Sequence, residues 1–171
     1  MNLLPNLHRL PLWLRGLLFG FSIYVLVQTS MRVGDNKPGA EATTPFDIEF
    51  TYNLGHQFLY GFFTLTLLML LPVNLPQKAK TWVWLPLLVC FLGMMDEWNQ
   101  SYRFRGSGMN DVGSDVLGAV HILLLALWFS KARKPWQTAV LISTQVWIGV
   151  TWNMIVVYAP DPALPFLPSG Q

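Results

Sequence analysis

One short stretch concentrates the residues able to do chemistry. Between Asp96 and Gly118 lie four carboxylates, Asp96, Glu97, Asp111 and Asp115, and two arginines, Arg103 and Arg105. Glu97 and Gln100 are three apart and share a helical face. Arg105 offers fixed guanidinium donors suited to a carboxylate or a phosphate, whereas Arg103 is expected to pair with its acidic neighbours. Asp111, Asp115, Gly118 and Ile122 recur at i, i+4, i+7 and i+11, one stripe of a helix. Asp111 is placed as the N-cap of that helix. Asp115 lies one turn deeper, about 6 Å along the axis, where a carboxylate needs a partner. Gly118 permits close approach of another helix. Upstream, His56 and Tyr60 are spaced i, i+4 and lie on one face.

Several kinds of chemistry are open to such a set. His56, Glu97, Asp111 and Asp115 carry donor atoms suited to a divalent cation, but no spacing here resembles a metal-binding motif, so neither metal nor cofactor is expected. Two close carboxylates beside an arginine suit acid–base work on a phosphate or sugar ester, with Glu97 or Asp115 as base and Arg105 stabilising developing charge. The same groups suit plain binding of an anionic head group. In that reading Arg105 holds the charge, Glu97 and Gln100 orient it, His56 and Tyr60 close one wall, and Asp111 is a further ligand-binding candidate. A third reading has the cluster only lock helices together or engage a partner protein. There is no Gly-rich phosphate loop and no nucleophile elbow.

The elements that must position these residues are read from hydropathy. Of the 171 residues, 53% are hydrophobic and 12% charged, about half the charge of an average soluble domain. Charge-free runs recur at Gly16 to Met31, His56 to Gln77, Thr81 to Met95, Val116 to Ser130 and Pro135 to Pro160. Each reaches, alone or with its flanks, the roughly 17–20 residues that cross a bilayer as a helix. None shows the polar face of a soluble amphipathic helix. The fold class is therefore all-α, a single polytopic membrane bundle over residues 1–171 with about five transmembrane helices. Their expected bounds are Leu12 to Ser30, His56 to Val73, Trp82 to Trp98, Asp111 to Ser130 and Thr138 to Tyr158. Residues 31–55 read as an irregular loop rich in Gly, Pro and Thr.

The basic residues suggest an orientation. With the N-terminus inside, Arg9, Arg15, Lys78, Lys80, Lys131, Arg133 and Lys134 fall at inner ends, and Arg32, Lys37, Arg103 and Arg105 at outer ones. That excess supports N-in, C-out by the positive-inside rule, and puts the acidic stretch at the outer boundary with His56 and Tyr60. Arg15 is expected to snorkel towards head groups. No small-x-small cleavage pattern follows Val27-Gln28-Thr29-Ser30, so an uncleaved anchor is expected. Cys90, the lone cysteine, sits in an apolar run and reads as packing. His121 reads as a packed, hydrogen-bonded histidine. Gln145 and Asn153 read as interhelical hydrogen-bonding groups.

Taken in order, His56-Gln-Phe-Leu-Tyr60, Glu97-x-x-Gln100, Arg105, Asp111 and Gly118 resemble the motif set of the VanZ-like family of small bacterial membrane proteins, over roughly residues 50–130. The chain departs from that pattern where Tyr52 and Asn53 replace an Asp-Lys pair and Asp115 replaces an asparagine; a second small residue is absent near Ile122. The resemblance implies a multi-pass protein of the bacterial plasma (inner) membrane and cell envelope, with a link to teicoplanin-type glycopeptide resistance. The expected partner is a membrane lipid or lipid-linked envelope precursor, with an unidentified membrane protein as a further candidate; no nucleic acid is expected.

Overall fold

The computed structural model describes residues 7–31, 46–72, 74–75, 78–101, 108–129 and 134–158. They form five long helices: α1 (Leu12–Met31), α2 (Phe46–Leu70), α3 (Thr81–Ser101), α4 (Met109–Trp128) and α5 (Pro135–Tyr158). No strand occurs among the described residues. Three helices, over Leu12–Ser30, Met109–Trp128 and Pro135–Val156, are long and apolar enough to cross a membrane. The helices match the expected segments closely except at α2, which begins ten residues before His56. The reading of 31–55 as loop is corrected over 46–55: no proline and no glycine intervenes between Phe46 and Gly55, so nothing halts helix propagation where hydropathy fades.

The centre of the bundle is α2, α3 and α4. Tyr60, Phe63, Val89 and Ala119 form one buried cluster; Leu68, Leu85, Leu123 and Ala126 form a second, one to two turns along. α2 and α4 pair most closely. The reason is Gly118, as its stripe suggested: a Cβ there would overlap the backbone of Gln57, and one at Gly61 would meet the Gly118 carbonyl at 3.3 Å. Only hydrogen at both positions lets the two backbones approach so closely.

The outer helices are tied on by polar contacts. Ser22 Oγ and Thr66 Oγ1 are 3.0 Å apart across α1 and α2, and Asn99 Nδ2 donates to Ser30 O at 2.9 Å across α3 and α1. Arg15 does not simply reach outward: its Nη1 donates to Met69 O at 2.7 Å, satisfying a carbonyl of the last turn of α2. Trp152 packs against Gly113 and donates from Nε1 to Ser114 Oγ at 3.0 Å, docking α5 on α4. Asn110 Nδ2 reaches Val156 O at 3.4 Å. These pairs place the ends of α1, α3 and α5 with the starts of α2 and α4, so successive helices alternate in direction.

Burial departs from that of a soluble protein in the polar share of the interior and the apolar character of the surface. Glu97, Gln100, Asp115, Asn53 and Asn153 are inside, while Trp13, Leu17, Phe21, Trp136, Trp147 and Ile155 are exposed. Polar side chains within and large apolar ones without suit a hydrocarbon surround.

Candidate functional site

The chemistry-bearing residues meet where α2, α3 and the start of α4 converge. His56 reaches across from α2, and its Nδ1 lies 2.9 Å from Asp115 Oδ1 on α4. Asp115 is fully buried, so His56 is the partner its depth required. On α3, Gly93 provides the room: a Cβ there would stand 2.6 Å from Asp115 Oδ2. His56 and Tyr60 stack with ring centroids 6.4 Å apart and planes inclined by 8°, as their i, i+4 spacing suggested. Tyr60 is buried, and its hydroxyl hydrogen-bonds the Asp96 carboxylate of α3.

Glu97 is fully buried and held from two sides. Its Oε1 accepts from Gln100 Nε2 at 3.2 Å, within one face of α3. Its Oε2 accepts from the backbone N–H of Gly108 at 2.9 Å. Gly108 is the N-cap of α4, extended, with no side-chain capping bond. Asp111 is thus not the cap, contrary to its expected role: α4 begins two residues earlier, at Met109, and Asp111 stands in the first turn, where its charge suits the positive end of the helix dipole. Glu97 satisfies the backbone donor at the cap from the neighbouring helix, so one carboxylate ties the end of α3 to the start of α4.

His56, Glu97 and Asp111 each present one potential ligand atom, and these atoms lie within 4.8 Å of one another. With Nδ1 engaged by Asp115, Nε2 is the ring nitrogen left to contact a ligand. A histidine oriented by a carboxylate in this way is the arrangement that fixes tautomer and ring direction in binding sites.

The structure therefore brings together His56, Tyr60, Glu97, Gln100, Asp111 and Asp115. Arg103 and Arg105 lie outside the described residues. Three residues of the site had no assigned role in the sequence. Asn53 is buried, one turn before His56, and its Oδ1 has no hydrogen-bond partner among the described residues. Gly93 stands four residues before Glu97, on its face of α3. Asp96 belonged to the acidic run, but nothing in it marked Tyr60 as its partner. Asn53 and Gly93 carry a helical-spacing signal that an apolar scan passes over.

Two other expectations change. Asn153 does not bridge helices: its Nδ2 donates to Gly149 O of its own helix at 2.8 Å. His121 is half-buried, and its Nε2 has no hydrogen-bond partner among the described residues. No family model, curated protein or solved structure matches this chain.

Proposed function

We propose that the chain is a bacterial inner-membrane protein of the cell envelope, crossing the bilayer five times with its N-terminus inside, and that the pocket at the outer ends of α2, α3 and α4 binds the anionic head group of a lipid or lipid-linked glycopolymer. One observation carries the reading. Side chains from three helices meet at one point, with His56 and Asp115 in contact at 2.9 Å across 59 residues of chain. Around that contact Glu97, Gln100 and Tyr60 are buried, with Gln100 donating to Glu97 and Tyr60 stacked on His56. Polar groups at such depth are costly to a membrane protein and mark sites of function. Arg105, in the segment joining α3 to α4, supplies the positive charge. The resemblance to the VanZ-like motif set supports the envelope location and extends the proposal to glycopeptide resistance of the teicoplanin type.

The test is the lipid that survives gentle purification. Wild-type protein should retain an anionic species that Arg105→Ala loses, measured by mass spectrometry of extracted lipid. Identical lipid profiles from the two proteins would overturn the reading.

A second reading has a specific observation behind it. The described part of the site is rich in acid, and the clustering of donor atoms from His56, Glu97 and Asp111 within 4.8 Å favours a divalent cation that bridges the acids to a phosphate. Under this reading EDTA strips the retained lipid from the wild type, and His56→Ala does the same. Retention that is indifferent to EDTA leaves Arg105 as the anchor and removes the cation.

A further inference from the structure

A cavity lies on the other side of the α2–α4 crossing from His56 and plays no part in the reading above. His56 and Gln57 are consecutive, so they point about 100° apart around α2. His56 faces Asp115; Gln57 faces α4 and α5. There a cavity of about 520 Å³ is walled almost wholly by apolar side chains of α2, α4 and α5, a size that suits a small organic ligand.

Three polar residues interrupt the apolar wall: Gln57, His121 and Gln145, one from each helix. Gln57 and Gln145 are each only 7% exposed. The Nε2 atoms of all three are buried without a hydrogen-bond partner among the described residues. Gln57 and His121 meet at Gly149, where an added Cβ would lie 3.1 Å from Gln57 Oε1 and 3.5 Å from His121 Cε1, and Gln145 stands one turn before Gly149 on α5. Gln57 and Gln145 thus present unpaired amide N–H groups to a dry interior beside the unpaired imidazole nitrogen of His121, which marks a place where a ligand's acceptors belong.

The mouth shows where the ligand comes from. Phe58 and Val146 line the cavity yet are 72% and 59% exposed, on an outer surface that is apolar. The opening is therefore sideways, between α2 and α5, into hydrocarbon. Depth then separates the lipids. Gln145 is the eleventh residue of α5, a helix without charge along its length, so at 1.5 Å per residue it lies about 15 Å or more from either helix end; the side chain of Gln57 reaches α5 beside Gly149. The ester carbonyls of a glycerophospholipid stay at the edge of a hydrocarbon layer about 30 Å thick, and its acyl chains bring no acceptor deeper. An uncharged ring with carbonyl oxygens and an apolar tail can reach that level.

We propose that this cavity binds an isoprenoid quinone, its carbonyl oxygens accepting from Gln57 and Gln145 and its tail leaving between Phe58 and Val146. A primary amide both donates and accepts, so the same pair also receives the hydroxyls of the reduced form.

The experiment uses the full chain in lipid nanodiscs and an azido-benzoquinone with a short isoprenoid tail, with labelled residues mapped by mass spectrometry. Expected is saturable labelling of α2 and α5 around Gln57 and Gln145, competed by unlabelled quinone and not by added phosphatidylglycerol. Gln145→Leu should weaken labelling about tenfold by removing one hydrogen bond. Val146→Trp, at an exposed position of the mouth, should abolish it with the thermal unfolding temperature unchanged, while Trp147→Ala, exposed and off the cavity wall, should leave it intact. Labelling that does not saturate, that persists in Val146→Trp, or that yields equally to the phospholipid would overturn the proposal. Arg105→Ala serves as a cross-check: loss of anionic lipid there with quinone labelling preserved separates this cavity from the head-group pocket.

Discussion

At the scale of single residues, the decisive contact is His56 with Asp115. A carboxylate one turn inside α4 needs a partner, and that need was legible from Asp115 alone. The identity of the partner was not, because the contact spans 59 residues of chain and no local spacing encodes it. The reverse holds for His56 and Tyr60, whose stacking follows from i, i+4 spacing on one helix. Removing one member of a buried polar pair leaves the other unpaired at a cost of about 3–5 kcal/mol. Asp115→Ala should therefore lower the unfolding temperature in detergent sharply, and His56→Ala combined with it should cost clearly less than the sum of the two single changes. Strict additivity would show that the contact is not formed. Glu97 makes a subtler case, since its two oxygens each accept a hydrogen bond. Glu97→Gln keeps an acceptor for Gly108 N but turns a donor towards Gln100, so a loss of about 1–3 kcal/mol is expected, with Glu97→Ala worse.

At the scale of elements, glycines set how closely the helices approach. Gly118 read as a helix-contact position in the sequence, and it is one. Gly93 did not read as anything, because a glycine in an apolar run carries no mark of what faces it. The start of α2 was likewise hidden: hydropathy reports the apolar part of a helix, whereas helix propagation continues through polar residues until something stops it. Two single-methyl additions test this level. Gly118→Ala forces α2 from α4 and should destabilise by about 1–3 kcal/mol. Gly55→Ala, on the same α2 but with nothing within 4 Å of the added methyl, should be neutral or stabilise by up to about 1 kcal/mol through helix propensity. Thermal unfolding of both in one detergent checks the contrast; similar melting temperatures would contradict the α2–α4 crossing.

At the scale of the molecule, helical content and the approximate extents of the helices were legible from charge-free runs alone. The packing order was not: which helices form the centre depends on Gly61 with Gly118 and on buried polar pairs, which composition averages away. The proposed orientation makes a direct prediction in a variant lacking Cys90. A cysteine at position 105 should react with an impermeant maleimide added to intact cells, and one at position 133 only after the membrane is opened; the opposite pattern would invert the topology. The central claim, that three helix ends jointly hold a head group, is tested most directly by an experimental map of the protein in nanodiscs made from its native lipid. Ligand density that protein side chains do not fill is expected between His56, Glu97 and Asp111. A map in which those three residues close on one another, with no density between them, would contradict it.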